Sequence, residues 1–245
     1  MKKMILAAIV CITALSLPGK ANATPLLQIL VREDSGAWTQ VSGSPFAGFS
    51  VQTFTNTSFQ DFSILAASVT AVNAPNLSDL LQVALNVTNN GTTSHTLQIL
   101  ATETEYSLPG GTPLKVESGL AGTVNVGSVV GNGIFQAYAN GNDALPGLIT
   151  PLAVLSDFTD GPQNATLNGS TLDTGSASGL FNRPGALYSV SSLTTLNLAA
   201  GSQFNFASHV NLTSTVPEPA SMVLFGSGLV GLGGFYRRKL LARSK

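Results

Sequence analysis

Two aspartate motifs in the chain could supply a pair of catalytic carboxylates. Asp173 begins an Asp-Thr-Gly-Ser sequence, and Asp34 begins an Asp-Ser-Gly sequence. Acid–base hydrolysis of a peptide bond by such a pair requires two carboxylates roughly 3 Å apart that share one proton. Arg32 and Glu33 precede Asp34, where apolar residues of a buried strand should stand. Because short Thr/Ser/Gly motifs also arise easily in this composition, we do not interpret these two aspartates as a protease site.

Two histidines, His95 and His209, are the candidate imidazole bases. A Ser-His-Asp arrangement stays open, but no Gly-x-Ser-x-Gly elbow is present to expose a nucleophilic serine. Zinc requires three or four His, Cys or carboxylate ligands, and two isolated histidines make such a site improbable. We interpret both as ordinary polar strand residues, and we predict no catalytic residue, no metal and no cofactor.

Calcium and carbohydrate remain weaker alternatives. Calcium binds oxygen ligands in loops, and two sets of side chains offer them without following the twelve-residue EF-hand pattern. Aromatic rings could stack on sugars, although most such rings pack in the core. The calcium candidates are Asp157, Asp160 and Asn164 in one set, and Asn140, Asn142 and Asp143 in the other; the aromatic candidates are Trp38, Tyr106, Tyr138 and Tyr188.

The elements that must position these groups are β-strands. Leu81, Val83, Leu85 and Val87 alternate with polar or small residues, which predicts a strand with these four on its buried face. The Asn-Asn-Gly sequence at 89–91 predicts a hairpin to the next strand. Further strands are predicted at 26–32, 48–54, 61–70, 97–102, 123–130, 188–198 and 203–213, and an exposed loop at 175–184. Strands at this spacing indicate an all-β fold, a single antiparallel β-sandwich of jelly-roll or immunoglobulin-like type.

The charge and the length of the central domain, residues 24–215, restrict its possible functions and its number of domains. It has three basic and eleven acidic residues, a formal charge of −8. Nucleic-acid binding requires clustered Lys and Arg, so we exclude it. An acidic surface repels anionic polymers unless divalent cations bridge the two. The length suits one domain with a real core, and no 20–50-residue repeat is visible.

The N-terminal segment has the pattern of a cleaved signal peptide, residues 1–23. Lys2 and Lys3 precede an apolar stretch at 4–17, and Ala21 and Ala23 supply the small-x-small site that signal peptidase cuts. Cleavage after Ala23 would remove Cys11, the single cysteine of the chain. The exported domain would then have no disulfide, so its own core must hold it together.

The other end, residues 216–245, has three parts. Pro217-Glu218-Pro219 comes first, a glycine-rich apolar run at 222–236 follows, and Arg237-Arg238-Lys239 ends the run. A helix of 15 residues spans roughly 22 Å, less than the roughly 30 Å of a hydrocarbon core, so we extend the predicted transmembrane helix to 220–236. The basic cluster predicts that the tail stays in the cytoplasm. Residues 24–215 would then lie outside the inner membrane.

This order of parts resembles the PEP-CTERM sorting signal of exported bacterial proteins. Pro217, Glu218 and Pro219 match its motif, and Arg237, Arg238 and Lys239 match its basic stop. The resemblance implies a Gram-negative bacterium that makes exopolysaccharide, and an exosortase that cuts near the motif and passes the chain to the surface. A plain C-terminal anchor is the alternative.

Together these features predict an exported, non-enzymatic protein of the cell surface or exopolysaccharide matrix. Its expected partners are signal peptidase, the exosortase, the inner membrane in transit, and exopolysaccharide. The first alternative is a carbohydrate-binding module, with or without calcium, and the second is an exported hydrolase that uses His95 or His209.

Overall fold

The computed structural model describes residues 26–45, 49–131, 133–143 and 158–215, together with Ser227 and Leu229. Thirteen strands account for most of this part of the chain. They are β1 (Leu26–Glu33), β2 (Thr39–Pro45), β3 (Phe49–Phe59), β4 (Phe62–Ala74), β5 (Leu77–Asn89), β6 (His95–Tyr106), β7 (Leu114–Val126), β8 (Gly133–Asn140), β9 (Phe158–Asn168), β10 (Thr171–Asp173), β11 (Ala177–Phe181), β12 (Tyr188–Leu198) and β13 (Gln203–Ser214).

The strands form two antiparallel sheets. The first sheet has the order β2-β1-β6-β12-β8-β9, and the second has the order β10-β7-β13-β5-β4-β3, with β11 also paired to β7. Pairing of β9 with β10 connects the two sheets along one edge. Consecutive strands β5 to β8 alternate between the sheets. The predicted all-β, antiparallel sandwich is confirmed.

The hydrophobic core lies between the sheets. Leu27, Ile99 and Phe135 come from the first sheet, and Leu80 and Phe204 from the second; all five are almost completely buried. Strand β13 alternates as its sequence predicts, with every second residue from Phe204 to Leu212 buried. Burial of this kind stabilises by about 25 cal/mol per Å² of apolar surface. It must hold the described domain together, because no cysteine lies in the described ranges.

Strand β5 buries a different face from the predicted one. Leu80 and Ala84 point into the core, whereas Leu85 is 46% exposed. A register shift against β13 falls at Asn86, which adopts a left-handed φ of 51°. Asparagine tolerates this conformation better than most residues, and the bulge returns Val87 to the core. The prediction that these side chains face the core was therefore right for Val87 and wrong for Leu81, Val83 and Leu85.

The hairpin predicted at residues 89–91 is wrong. Strand β5 pairs with β4 and β13, and β6 pairs with β1 and β12, so the segment carries the chain from one sheet to the other. Asn89 is fully buried there. Its Nδ2 donates to the carbonyls of Thr93 (2.9 Å) and Leu198 (2.8 Å), and its Oδ1 accepts the N–H of Gly91 (2.8 Å). The side chain thus satisfies two backbone groups of the crossing and binds the end of β12 to it.

Other differences concern the bounds of strands and strands that the sequence did not predict. Strand β7 ends at Val126 and begins nine residues before its predicted start, and the predicted loop at 175–184 contains β11. Strands β2, β8, β9 and β10 were not predicted. Strand β9 includes Gly161 and Pro162, and it shifts register against β8 near that point. Pro and Gly mark such irregular positions in strands, so they conceal β9 from pattern analysis.

The predicted signal peptide and almost all of the predicted C-terminal segment fall outside the described residues. These include Ala21 and Ala23 of the cleavage site, Pro217 to Pro219 of the motif, and Arg237 to Lys239 of the basic stop. Within the predicted helix at 220–236, Ser227 and Leu229 are described and are helical. Among the described residues, no helix has the length and apolarity needed to cross a membrane.

The crossing at Asn89 generates a stability prediction. Asn89→Ala leaves the carbonyls of Thr93 and Leu198 without their amide donor, and an unsatisfied buried polar group costs about 1–3 kcal/mol. We expect the free energy of unfolding to fall by about 2 kcal/mol or more in a denaturant titration. Asn125→Ala is the matched control: Asn125 is exposed, so its loss should stay within about 0.5 kcal/mol. Equal losses in the two variants would show that the crossing does not depend on this amide.

Candidate functional site

Three carboxylates and one imidazole meet at one end of the sandwich. Glu33 ends β1, and Asp34 follows it. Asp61 lies in the tight turn between β3 and β4, and His95 begins β6. We call these four residues the carboxylate–histidine cluster. Its members come from both sheets, so they meet only when the sandwich has formed.

Backbone hydrogen bonds fix the segments that carry the cluster. The N–H of Asp34 donates to the carbonyl of Thr96 (2.8 Å), and the N–H of Asn90 donates to the carbonyl of Asp61 (2.7 Å). The N–H of Asp61 donates to Glu33 Oε2 (3.0 Å). The turn between β3 and β4 is therefore attached both to the end of β1 and to the crossing from β5 to β6.

The imidazole of His95 packs against the backbone of the crossing. A Cβ added to Gly91 would lie 2.9 Å from His95 Cδ2 and 3.0 Å from Asn89 Oδ1, so the neighbouring side chains would have to shift. Glycine at position 91 therefore leaves room for the ring in this place. The Asn-Asn-Gly sequence that resembles a hairpin turn instead provides the space for His95.

Both ring nitrogens of His95 face acceptor oxygens. Nδ1 lies 2.9 Å from Asp34 Oδ2 and 3.1 Å from Glu33 Oε1. Nε2 lies 3.0 Å from Thr93 Oγ1 and 3.4 Å from Asp61 Oδ2. A neutral imidazole with its proton on Nδ1 could donate to Asp34 and accept from the Thr93 hydroxyl, but its Nε2 lone pair would face the Asp61 carboxylate. The arrangement favours either a doubly protonated ring or a cation at one of the nitrogens.

Electrostatics in the cluster follow from these contacts. The hydrogen bond to Asp34 raises the pKa of His95, and the nearby carboxylates of Asp34, Glu33 and Asp61 add to the effect. The pKa of Asp34 is lowered by the hydrogen bond from the backbone of Thr96 and then by His95. In the described part of the chain, each of the three carboxylates has its ion pair with His95. Three acidic groups therefore share one basic group.

Two kinds of chemistry use this combination of side chains. Thr93 Oγ1, His95 and Asp34 have the connectivity of a catalytic triad. However, Asp61 beside Nε2 favours a protonated ring, which has no lone pair to accept a proton from Thr93. The second kind is metal binding: the ligand atoms of Glu33, Asp61 and His95 all lie within 4.8 Å of one another.

Sequence analysis missed this cluster. It treated His95 as an isolated polar residue, whereas three carboxylates contact the ring. The pairing of Glu33 with Leu97 in the β1–β6 register brings the end of β1 close to His95, and no short sequence motif encodes that pairing. The position of His95 just after a turn was the one available signal.

The other candidate catalytic residues are not brought together. Asp173 ends β10 in the second sheet, and its Oδ1 accepts the N–H of Gly175 (2.7 Å). Asp34 belongs to the first sheet and binds Thr96 and His95. His209 lies in β13 of the second sheet, opposite Gly119 and Leu81. The two aspartates therefore form no pair that could share a proton.

None of the four candidate aromatics presents a free ring. Tyr106 and Tyr188 stack on each other in the core, with centroids 5.5 Å apart and at most 1% exposure. Trp38 and Tyr138 are 8% and 7% exposed and belong to a small apolar cluster on the outer face of the first sheet. The guanidinium of Arg32 lies over the Trp38 ring, 4.7 Å from its centroid. Stacking on sugar would require these rings to be uncovered.

The calcium candidates are partly described. Asp157 and the side chain of Asp160 lie outside the described residues. In the other set, Asn140 Oδ1 accepts the N–H of Asn142 (2.8 Å), and Asp143 Oδ1 accepts the N–H of Glu105. Asn140 Oδ1 thus closes the turn after β8, and Asp143, with a positive φ of 55°, joins that turn to β6. Both oxygens therefore have hydrogen-bond partners within the protein.

Glu103 lies near this turn and is unusual among the acids. It is 5% exposed, and its Oε2 has no hydrogen-bond partner. Burial raises its pKa to about 8, and the carboxylates of Glu105 and Asp143 contribute in the same direction. The folded protein therefore holds a proton on Glu103 over a pH range in which the unfolded chain has released it.

This difference predicts how stability depends on pH. The pKa of Glu103 is about 8 in the folded protein against 4.5 for an unperturbed glutamate, so its contribution to stability decreases as pH rises from about 4.5 to 8. We expect Glu103→Gln to flatten this decrease in urea titrations at pH 5 and pH 8. Glu117→Gln, which changes an exposed glutamate, is the control and should leave the slope unchanged. A wild-type slope in Glu103→Gln would contradict the assignment.

The fold and the sequence of its flanks together define a class: an all-β sandwich followed by a Pro-Glu-Pro, apolar and basic segment. Residues 215–239 match the family model of the PEP-CTERM protein-sorting motif. The resemblance stated from Pro217 to Lys239 is confirmed, and the chain carries a PEP-CTERM sorting motif. This match indicates an exported protein that transits the membrane and is processed by an exosortase.

Comparison with curated proteins gives no match for this chain. Among solved structures, the KRT10-binding region domain of the pneumococcal serine-rich repeat protein PsrP is 12% identical over 65% of this chain and 84% of its own, with a TM-score of 0.32. The mannan-recognising carbohydrate-binding module TmCBM27 is 9% identical over 69% and 90%, with a TM-score of 0.29. The K1 cleaved adhesin domain of Lys-gingipain from Porphyromonas gingivalis W83 is 8% identical over 69% and 100%, with a TM-score of 0.28. Similarity at this level carries no functional argument.

Proposed function

We propose that this protein is a non-enzymatic structural component of the bacterial cell surface or exopolysaccharide matrix, delivered there through its C-terminal signal. The sorting motif at residues 215–239 is the observation that carries the proposal. Signal peptidase would remove residues 1–23, and the domain would enter the periplasm while the apolar run held it in the inner membrane. An exosortase would then cut near Pro217 to Pro219 and release the domain to the surface.

The structural role is supported by the placement of the candidate catalytic groups. Asp34 and Asp173 lie in different sheets, and the ring of His95 is held between carboxylates. A glycan-binding role through Trp38 or a tyrosine has less support, because those side chains are buried. The acidic charge of residues 24–215 keeps the domain soluble and makes contact with an anionic matrix dependent on divalent cations.

The processing step is tested by intact mass. We expect the full chain, expressed in a host with an exosortase, to lose residues 1–23 and the tail beyond the Pro-Glu-Pro region. In a host without the enzyme, it should lose residues 1–23 alone. Glu218→Ala should prevent the C-terminal cut, because the motif is the recognition element, whereas Glu117→Ala on β7 should not.

Two outcomes would count against the proposal. An intact C-terminus in both hosts would make the apolar run a plain anchor. If the C-terminus of Glu218→Ala were cleaved at the wild-type rate, the motif would not be the element that the exosortase recognises.

A further inference from the structure

We propose that Glu33, Asp61 and His95 bind a divalent cation of the zinc type, with Asp34 orienting the histidine. This site belongs to the folded sandwich and does not depend on the sorting function. It would make a metal ion part of the exported domain, in a position that connects its two sheets.

One pair of donor atoms already has the spacing of a coordination shell, and the third donor lies nearby. Zinc binds nitrogen and oxygen ligands at roughly 2.0–2.2 Å, so two ligands of a tetrahedral site stand about 3.4 Å apart. His95 Nε2 and Asp61 Oδ2 are 3.4 Å apart. Glu33 completes a set whose ligand atoms lie within 4.8 Å of one another. Its Oε1 now lies 3.1 Å from Nδ1, so the Glu33 carboxylate must turn toward Nε2 to share an ion with His95 and Asp61.

The orientation of the imidazole also fits a metal ligand. Asp34 Oδ2 lies 2.9 Å from Nδ1, where it can accept the Nδ1 proton and leave the lone pair on Nε2. A carboxylate on the distal ring nitrogen is the usual second partner of a metal-binding histidine. The contact between the ring and Gly91 restricts its position further. The histidine is therefore oriented before the ion arrives.

Charge supplies an independent reason for a cation. Glu33 is 5% exposed, and a carboxylate so far from water needs a positive partner. Among the described residues, His95 is the basic side chain that contacts Glu33, and it is shared with Asp34 and Asp61. Even a protonated ring leaves three carboxylates with an excess of two negative charges. A divalent ion at Nε2 would replace one proton with two positive charges.

The donor set selects the class of ion. Imidazole nitrogen with two carboxylates suits zinc and its neighbours in the first transition row. Calcium takes six to eight oxygen ligands, and magnesium keeps most of its water in an octahedral shell. The cluster has one nitrogen and few oxygens, so it should prefer zinc to calcium.

Isothermal titration calorimetry with Zn²⁺ alone tests the site. The full chain should be purified in detergent without a histidine tag, because a tag would bind the metal itself. We expect one zinc per chain, no detectable binding to His95→Gln, and about 10–100-fold weaker binding to Asp34→Asn. His209→Gln is the matched control, since it removes the other histidine from the second sheet, and it should bind as the wild type does.

Circular dichroism checks that each variant folds. If His95→Gln does not fold, Asp61→Asn replaces it, because that substitution changes a half-exposed side chain. A zinc-dependent rise in melting temperature that His95→Gln or Asp61→Asn abolishes would support the proposal by a second readout. Absence of zinc binding to the wild type would overturn it and leave His95 as an imidazolium held by carboxylates. Undiminished binding to His95→Gln, or tighter binding of Ca²⁺ than of Zn²⁺, would also overturn it.

Discussion

The crossing between the two sheets at Asn89 is the constraint on which the described domain depends. A chain that leaves a buried strand of one sheet for the other must satisfy its backbone polar groups without a strand partner. The Asn89 side chain does this for Thr93 and Gly91, and it also binds the carbonyl of Leu198 at the end of β12. The same contacts determine where β6 begins, and its first residue is His95. The candidate site is therefore a consequence of how the sandwich closes at this end.

The acidic residues of the domain lie in two different electrostatic environments. At the carboxylate–histidine cluster, His95 lies among three carboxylates and its pKa is raised. Around Glu103, burial raises the pKa of the carboxyl, and the nearby carboxylates act in the same direction. The first arrangement is the proposed cation site, and the second retains a proton. The stability of the domain therefore depends on pH through Glu103, and it would depend on cations through the cluster.

Sequence analysis recovered the fold class because alternation is strong where strands are regular. The bounds of β12 were predicted correctly, and those of β13 to within one residue. It failed where a local sequence pattern is compatible with two different structures. Asn-Asn-Gly at 89–91 predicts a hairpin when read locally, but the burial of Asn89 reveals a crossing. The bulge at Asn86 reversed the face of β5, and no pattern of period two can report such a shift. Glu33, Asp61 and His95 are about thirty residues apart in sequence, and only the pairing of strands places them together.

The two functional features of the chain follow different physical rules. The sorting motif at 215–239 is a linear signal, so its residue order is enough for a processing enzyme and for a family model to recognise. The carboxylate–histidine cluster is a product of the folded state and is invisible to any linear comparison. The exported domain must stay folded by its own contacts, which are its core and the polar contacts between its sheets. Glu33, Asp61 and His95 make such contacts at the end where the chain crosses from one sheet to the other.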